Sequence, residues 1–326
     1  MKIIKPSVEF FGAVPTEYNA ALKFTEKCGR VCYKSEDKIT EDSAEGFVKK
    51  LIKAGHLAMV EHSNFVVRNL DSSYDNLQYL RDTAGKYLTV IPSKGYTVIG
   101  GSLTAWYQRC LLLGRYEGMF NAFFHIWGKL FGLDTVTFSH SFGEVPLSNW
   151  EVCPHDEIPK ALHRYSAKFI CDRGVSHELV RHRPCSFAQE STRYVNYGGK
   201  DMEFIEPDGF ERWRSPEIIL FRDCCRVAED LYNKCLDCDL KPQQARGVLP
   251  NALKTEIVVT ADAAEWMHIR KLRTAKSSHP DMQRVMNMMP WEEFLDNQIE
   301  ENKIHRCEKH HKDFTGKVCP ECEQES

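Results

Sequence analysis

Arg181-His182-Arg183 sets two guanidiniums and an imidazole in three consecutive positions. No fold can hold such a group away from water without anions beside it, because like charges a few ångströms apart repel strongly in a low dielectric. Residues 176–183 read as a helix, and Pro184 discourages its continuation. On that helix Glu178, Arg181 and His182 share one face at i, i+3 and i+4, while Arg183 points elsewhere. The dipole at the helix end also favours cations. Glu178 and Glu190 supply part of the neutralising charge. A phosphate or an electron-rich planar ring would supply the rest, since Arg forks onto phosphate and stacks on aromatic faces. A surface ion-pair patch would explain the charges alone. The Ser, Gln and Thr side chains that follow, up to Arg193, exceed what such a patch needs and suit a polar ligand.

The rest of the composition is unremarkable, and that bounds the function. The chain has 326 residues, with Lys+Arg 43 against Asp+Glu 46 and a formal net charge of −3. With 42% hydrophobic and 27% charged residues it reads as globular, and neither as collagen-like nor as disordered. The near-neutral total argues against a nucleic-acid partner, for which a positive excess would drive counterion release. No stretch approaches the roughly 20 apolar residues that span a bilayer, and the start, Met1-Lys2-Ile3-Ile4-Lys5-Pro6, lacks a secretory apolar region. The expectation is a cytoplasmic protein with no membrane partner. The 13 cysteines then read as buried residues or metal ligands rather than a disulfide framework.

Helical spacing predicts a helix over 41–54, with Gly55 as its stop, and 63–68 reads as a strand. Residues 117–131 look like a largely buried helix. His125, His140 and His155, scattered nearby, read as ordinary histidines. A short strand is expected over 202–206, closed by the turn Pro207-Asp208-Gly209. Ser215-Pro216-Glu217 opens a helix reaching Cys238, and Asp262 to Glu265 has capping-box spacing for a helix through Lys276. A last helix is expected over 291–304.

Arg-His-Arg, seven residues, Ser191 and then Arg193-Tyr194 resemble the defining motif of flavin-dependent thymidylate synthases. Three further segments agree in order. Gly55-His56 with Glu61-His62 is similar to the family's Gly-His…Glu-His segment, departing at Ala58 and Met59, where a hydroxyl residue and Pro are usual. Ala245-Arg246 with Leu249-Pro250 is similar to its Ala-Arg-x-x-Leu-Pro stretch, and Asp262, His268 and Arg273 fall on its last segment, with Asp262 where Asn is usual.

The resemblance implies an α/β (α+β) fold, helices packed on a mixed, mostly antiparallel sheet. It implies a discontinuous catalytic domain, 1–68 and 160–300, interrupted by an insertion, 69–159, of unknown role. It implies FAD-dependent reductive methylation of dUMP to dTMP, with methylenetetrahydrofolate as carbon donor and NAD(P)H as reductant, by a homotetramer. Arg273 would be catalytic, stabilising negative charge on the uracil. His56, Arg181, His182, Arg183, Gln189, Asp262 and His268 would hold FAD. Glu178, Arg181, Gln189, Glu190, Ser191, Arg193, Arg246 and Arg273 would hold dUMP. Two other readings compete: a flavin-dependent methyl- or hydroxymethyltransferase acting on another pyrimidine nucleotide, and a zinc-containing nucleic-acid-binding protein. The second draws on the tail, 301–326, where Cys307, His310, Cys319 and Cys322 have the spacing of four zinc ligands.

Overall fold

The structure is a computed structural model; it describes residues 1–70, 74–84, 87–93, 95–113, 118–132, 150–295, 304–306 and 313–315. His140 and the four expected zinc ligands lie outside the described residues.

The strands in chain order are β1 (Lys2–Ile4), β2 (Ser7–Ala13), β3 (Phe65–Asn69), β4 (Thr89–Ser93), β5 (Tyr96–Gly101), β6 (Trp150–Val152), β7 (Arg164–Asp172), β8 (Ser186–Gln189), β9 (Glu203–Ile205), β10 (Lys254–Asp262), β11 (Ile304–Arg306) and β12 (Asp313–Thr315). The helices are α1 (Tyr18–Tyr33), α2 (Ser43–Lys53), α3 (Leu57–Val60), α4 (Tyr74–Ala84), α5 (Leu103–Leu113), α6 (Gly118–Trp127), α7 (Arg173–Leu179), α8 (Ser215–Asp237), α9 (Pro242–Ala245), α10 (Ala263–Arg273), α11 (Pro280–Met286) and α12 (Trp291–Phe294).

One four-stranded sheet, in the order β2-β7-β10-β8, carries the motif segments, and its pairings are all antiparallel. β10 is buried on both faces, and its middle, Ile257-Val258-Val259, is an apolar run without alternation. Ile257, Val259 and Ala261 pack with Trp266, Ile269 and Met282 from α10 and α11. Val258, between them, turns to the other face and meets Cys28, Val31 and Cys32 of α1. A second antiparallel sheet, β4-β5-β3-β6, has β3 paired on both sides by strands drawn from residues 69–159. Its Phe65, Val67 and Ile99 share a core with Ala21 and Leu22 of α1 and with Val48 and Leu51 of α2. α1 is therefore packed on both sides, once against each sheet. Among the described residues only the short β1–β9 pair is parallel. Helices on mostly antiparallel sheets are the fold class expected.

Four helix expectations need correction, and the one over 117–131 covers only Gly118–Trp127. The helix expected over 176–183 begins at Arg173, capped by Asp172 accepting from the Val175 amide at 2.9 Å, and ends at Leu179. Arg181, His182 and Arg183 are thus on a loop, freed from the helical spacing that Pro184 and the charges oppose. The helix opened by Asp262 ends at Arg273 rather than Lys276. The last helix covers only Trp291–Phe294, and Ile304 begins a strand; 296–303 lie outside the described residues.

Candidate active site

The loop after α7 and the end of α10 meet at Arg273. Its Nη1 donates to Glu178 Oε2 at 2.5 Å, its Nη2 to the Glu178 carbonyl at 3.1 Å, and its Nε to His182 Nε2 at 2.9 Å. Because Nε2 accepts, the imidazole hydrogen is on Nδ1, which faces Glu265 Oε1 at 3.6 Å. A chain of four side chains, Glu178–Arg273–His182–Glu265, results. Burial first, then the Arg273 guanidinium, pulls His182 down to about 4, so the ring is neutral at pH 7. Burial first, then the Asp262 carboxylate, pushes Glu265 up to about 7. Glu265 Oε1 is buried without a hydrogen-bond partner among the described residues.

Sequence reasoning missed Glu265 as a functional residue. It reads as the partner of a capping box, and half of that box is present: Asp262 Oδ1 accepts from the Glu265 amide at 2.8 Å. The Glu265 carboxylate instead turns inward to the histidine. The only sequence signal was a carboxylate three residues before His268 on the same helix.

His268 is exposed, its ring 6.0 Å from that of His182 and nearly perpendicular to it. Donor atoms of His182, Glu265 and His268 lie within 4.8 Å of one another.

The remaining expected residues fall into two groups. Arg181 and Arg183 are exposed; Arg183 Nη1 donates to the carbonyls of Val180 and His182, at 2.5 and 2.8 Å. Gln189 is held from below, donating to Ser176 Oγ at 2.9 Å and Thr255 Oγ1 at 3.2 Å. The second group is centred on the turn after β8. Arg246 Nη1 donates to Thr192 Oγ1 at 3.3 Å, and Ser191 Oγ accepts from the Arg193 amide at 3.2 Å. Exposed His56 shares a 2.8 Å hydrogen bond with Tyr33, whose ring lies 5.5 Å from that of Tyr194. Among the described residues no hydrogen bond joins Arg193 or Arg246 to Arg273.

Glu190 stands apart. It is 2% exposed, accepts from Tyr197 at 2.7 Å and pairs with Lys254 at 3.4 Å. Lys254 also pairs with Glu256 at 2.7 Å, and Glu256 with Lys34 at 2.6 Å. Burial alone would push Glu256 up, but hydrogen bonds and charge from Lys254 and Lys34 outweigh it and hold it low. The Glu190 carboxylate therefore belongs to an interior ion network rather than to the exposed arginines.

Residues 161–295 match the model of the family described as thymidylate synthase complementing protein. The chain is 36% identical over 101 residues to a flavin-dependent thymidylate synthase of Geobacter sulfurreducens, covering 31% of this chain and 43% of that one. It is 30% identical over 176 residues to one of Pyrococcus furiosus, covering 47% of this chain and 70% of that one. The chain spans less than half the length of the first curated relatives that it matches. A solved structure of a UMP/dUMP methylase, PolB from Streptomyces cacaoi, aligns over 90% of this chain and 93% of its own at 16% identity, with a TM-score of 0.39, too slight a likeness to argue from. The ordered motif segments, the geometry around Arg273 and the match over most of the Pyrococcus enzyme make one conclusion: the chain belongs to the flavin-dependent thymidylate synthase family.

Proposed function

We propose that the chain methylates C5 of dUMP to give dTMP in the cytoplasm, taking the carbon from methylenetetrahydrofolate. One observation carries this reading: Arg273 is held by Glu178 and His182 at the edge of a loop whose other arginines face outward. A guanidinium fixed on three sides is preorganised and loses little on meeting a developing charge. It stabilises the electron density that makes uracil C5 a nucleophile. The C5 proton leaves, and a methylene group plus a hydride becomes the methyl.

The residues present fit a flavin. Exposed Arg181, Arg183 and His268 offer donors to an electron-rich ring and to phosphate. Bound flavin, reduced by NAD(P)H, supplies the hydride, so folate leaves as tetrahydrofolate. Arg246, Ser191 and Arg193 hold the dUMP phosphate, and Gln189 and Glu178 orient the ring or ribose. Burial pushes the Cys185 thiol well up, which argues against a thiolate nucleophile.

We read the protein as a homotetramer with sites completed between subunits. Leu220, Cys224, Val227 and Leu231 support it, forming an exposed apolar stripe on α8 at i, i+4, i+7 and i+11. The test is the visible spectrum of the purified protein with NADPH oxidation followed with and without dUMP. A flavin spectrum and dUMP-dependent oxidation are expected; a colourless protein indifferent to dUMP would remove the proposal.

A further inference from the structure

Two residues of α10 reach one imidazole from different levels of the helix. Glu265 is in its first turn and Arg273 is its last residue, about 12 Å further along the axis. His182, 6% exposed, meets both: Nε2 accepts from Arg273 at 2.9 Å, and Nδ1 is 3.6 Å from Glu265 Oε1. Trp266, wholly buried beside Glu265, donates from Nε1 to the Tyr165 carbonyl at 2.9 Å and pins the rotation of the helix. The inward aim of Glu265 is therefore set by the core.

Folding does not require that carboxyl. The helix cap uses only the Glu265 amide, which donates to Asp262 Oδ1. The side chain is 8% exposed, and its Oε1 accepts from nothing among the described residues. A buried carboxyl without a donor opposes folding, and leucine would cost the fold less. Burial, then the Asp262 carboxylate, pushes Glu265 up to about 7, so at pH 8 it is mostly ionised.

A neutral imidazole carries its hydrogen on one nitrogen, and the groups facing the ring decide which. Arg273 Nε carries a hydrogen, so it can meet only a bare Nε2. A carboxylate accepts and does not donate, so beside Nδ1 it selects that same tautomer. In the other tautomer two N–H groups, on Arg273 and on His182 Nε2, would face each other, and the guanidinium would be displaced.

We propose that Glu265 is a positioning residue: it holds His182 in the Nδ1–H tautomer and through that ring fixes the Arg273 guanidinium, without itself touching substrate or flavin. The inference rests on the function proposed above, which gives Arg273 its task.

The test is Glu265→Gln in the full-length, flavin-loaded protein at pH 8. Glutamine keeps the size but brings a donor that can face Nδ1. The kcat for dTMP formation is expected to fall by at least about tenfold, with KM for dUMP within about twofold of wild type, flavin still bound and Tm no lower. Nitrogen-15 NMR of histidine-labelled protein, with the His182 signals identified by their loss in His182→Asn, should show the Nδ1–H tautomer in the wild type and its partial or full loss in Glu265→Gln. Glu265→Leu, which removes the acceptor without adding a donor, should move both readings the same way. Wild-type kcat in either variant, or an unchanged tautomer, overturns the assignment. So does a kcat that falls only in step with lost flavin or a lowered Tm, which would make Glu265 merely structural. Failure of the parent reading shows separately, as a wild-type protein without dUMP-dependent NADPH oxidation, and the tautomer is read independently of turnover.

Discussion

Two groups of charges border the same strand and are finished differently. At the start of β10, Lys254, Glu256, Glu190 and Lys34 pair with one another, and the first three are nearly buried. Arg181 and Arg183, beyond its far end, and Arg193 and Arg246, at the turn beside its start, pair with no carboxylate among the described residues, and all four are exposed. Interior ions must satisfy one another because leaving one alone is costly. Arginines held at a surface without counter-charges are not needed for folding, so their clustering calls for an external anion. The difference separates charges that serve the fold from charges that await a ligand.

Breaking the ligand side at its centre should have the largest effect. Arg273→Ala is expected to lower kcat for dTMP formation by at least about 100-fold, with flavin still bound, as measured by single-turnover product formation and the visible spectrum. Full activity in that variant would remove Arg273 from the mechanism.

Breaking the structural side should cost stability instead. Glu190→Ala leaves Lys254 buried beside one carboxylate fewer, and a loss of roughly 3–5 kcal/mol is expected from removing one partner of a buried pair, read from the urea midpoint. The KM for dUMP should not move. A raised KM at unchanged stability would return Glu190 to the nucleotide site that the family resemblance gives it.

Arg246→Ala sharpens the contrast from the other direction. A charged hydrogen bond to phosphate at a partly open site is worth about 1.5 kcal/mol, so KM for dUMP should rise roughly tenfold with an unchanged unfolding midpoint. A shifted midpoint with an unchanged KM would make Arg246 structural.

Glu265 lies between the two classes, buried but unfinished. Its carboxyl ionises near 4.5 when unfolded and near 7 when folded. Between those values the folded state keeps a proton that the unfolded state has lost, so this group's contribution to stability falls as pH rises through the window. Glu265→Gln should therefore match the wild type in Tm near pH 4 and exceed it by a few degrees at pH 8. Equal Tm values at pH 8 would mean that the carboxylate is already stabilised.

The sequence made some of this legible and hid the rest for physical reasons. Ser215-Pro216 announced α8, which ends at Asp237, one residue from the expected stop. Asp262 announced α10 because a cap acts locally. β10 gave no alternating pattern, since it is buried on two faces. α7 was misplaced because its cap, Asp172, is also the last residue of β7. The Arg273–Glu178 contact joins positions far apart in the chain, and only the family motif foreshadowed it. Glu190 looked like a ligand residue because its neighbours do; its inward turn depends on Lys254, which no local pattern reveals.

The central claim is that the outward arginines and Arg273 are completed by dUMP and a reduced flavin. Incubating the purified protein with dUMP, methylenetetrahydrofolate and NADPH, and identifying both products, tests it most directly. dTMP with an equal amount of tetrahydrofolate is predicted. dTMP accompanied by dihydrofolate, or no dTMP from a protein that holds flavin, would contradict it.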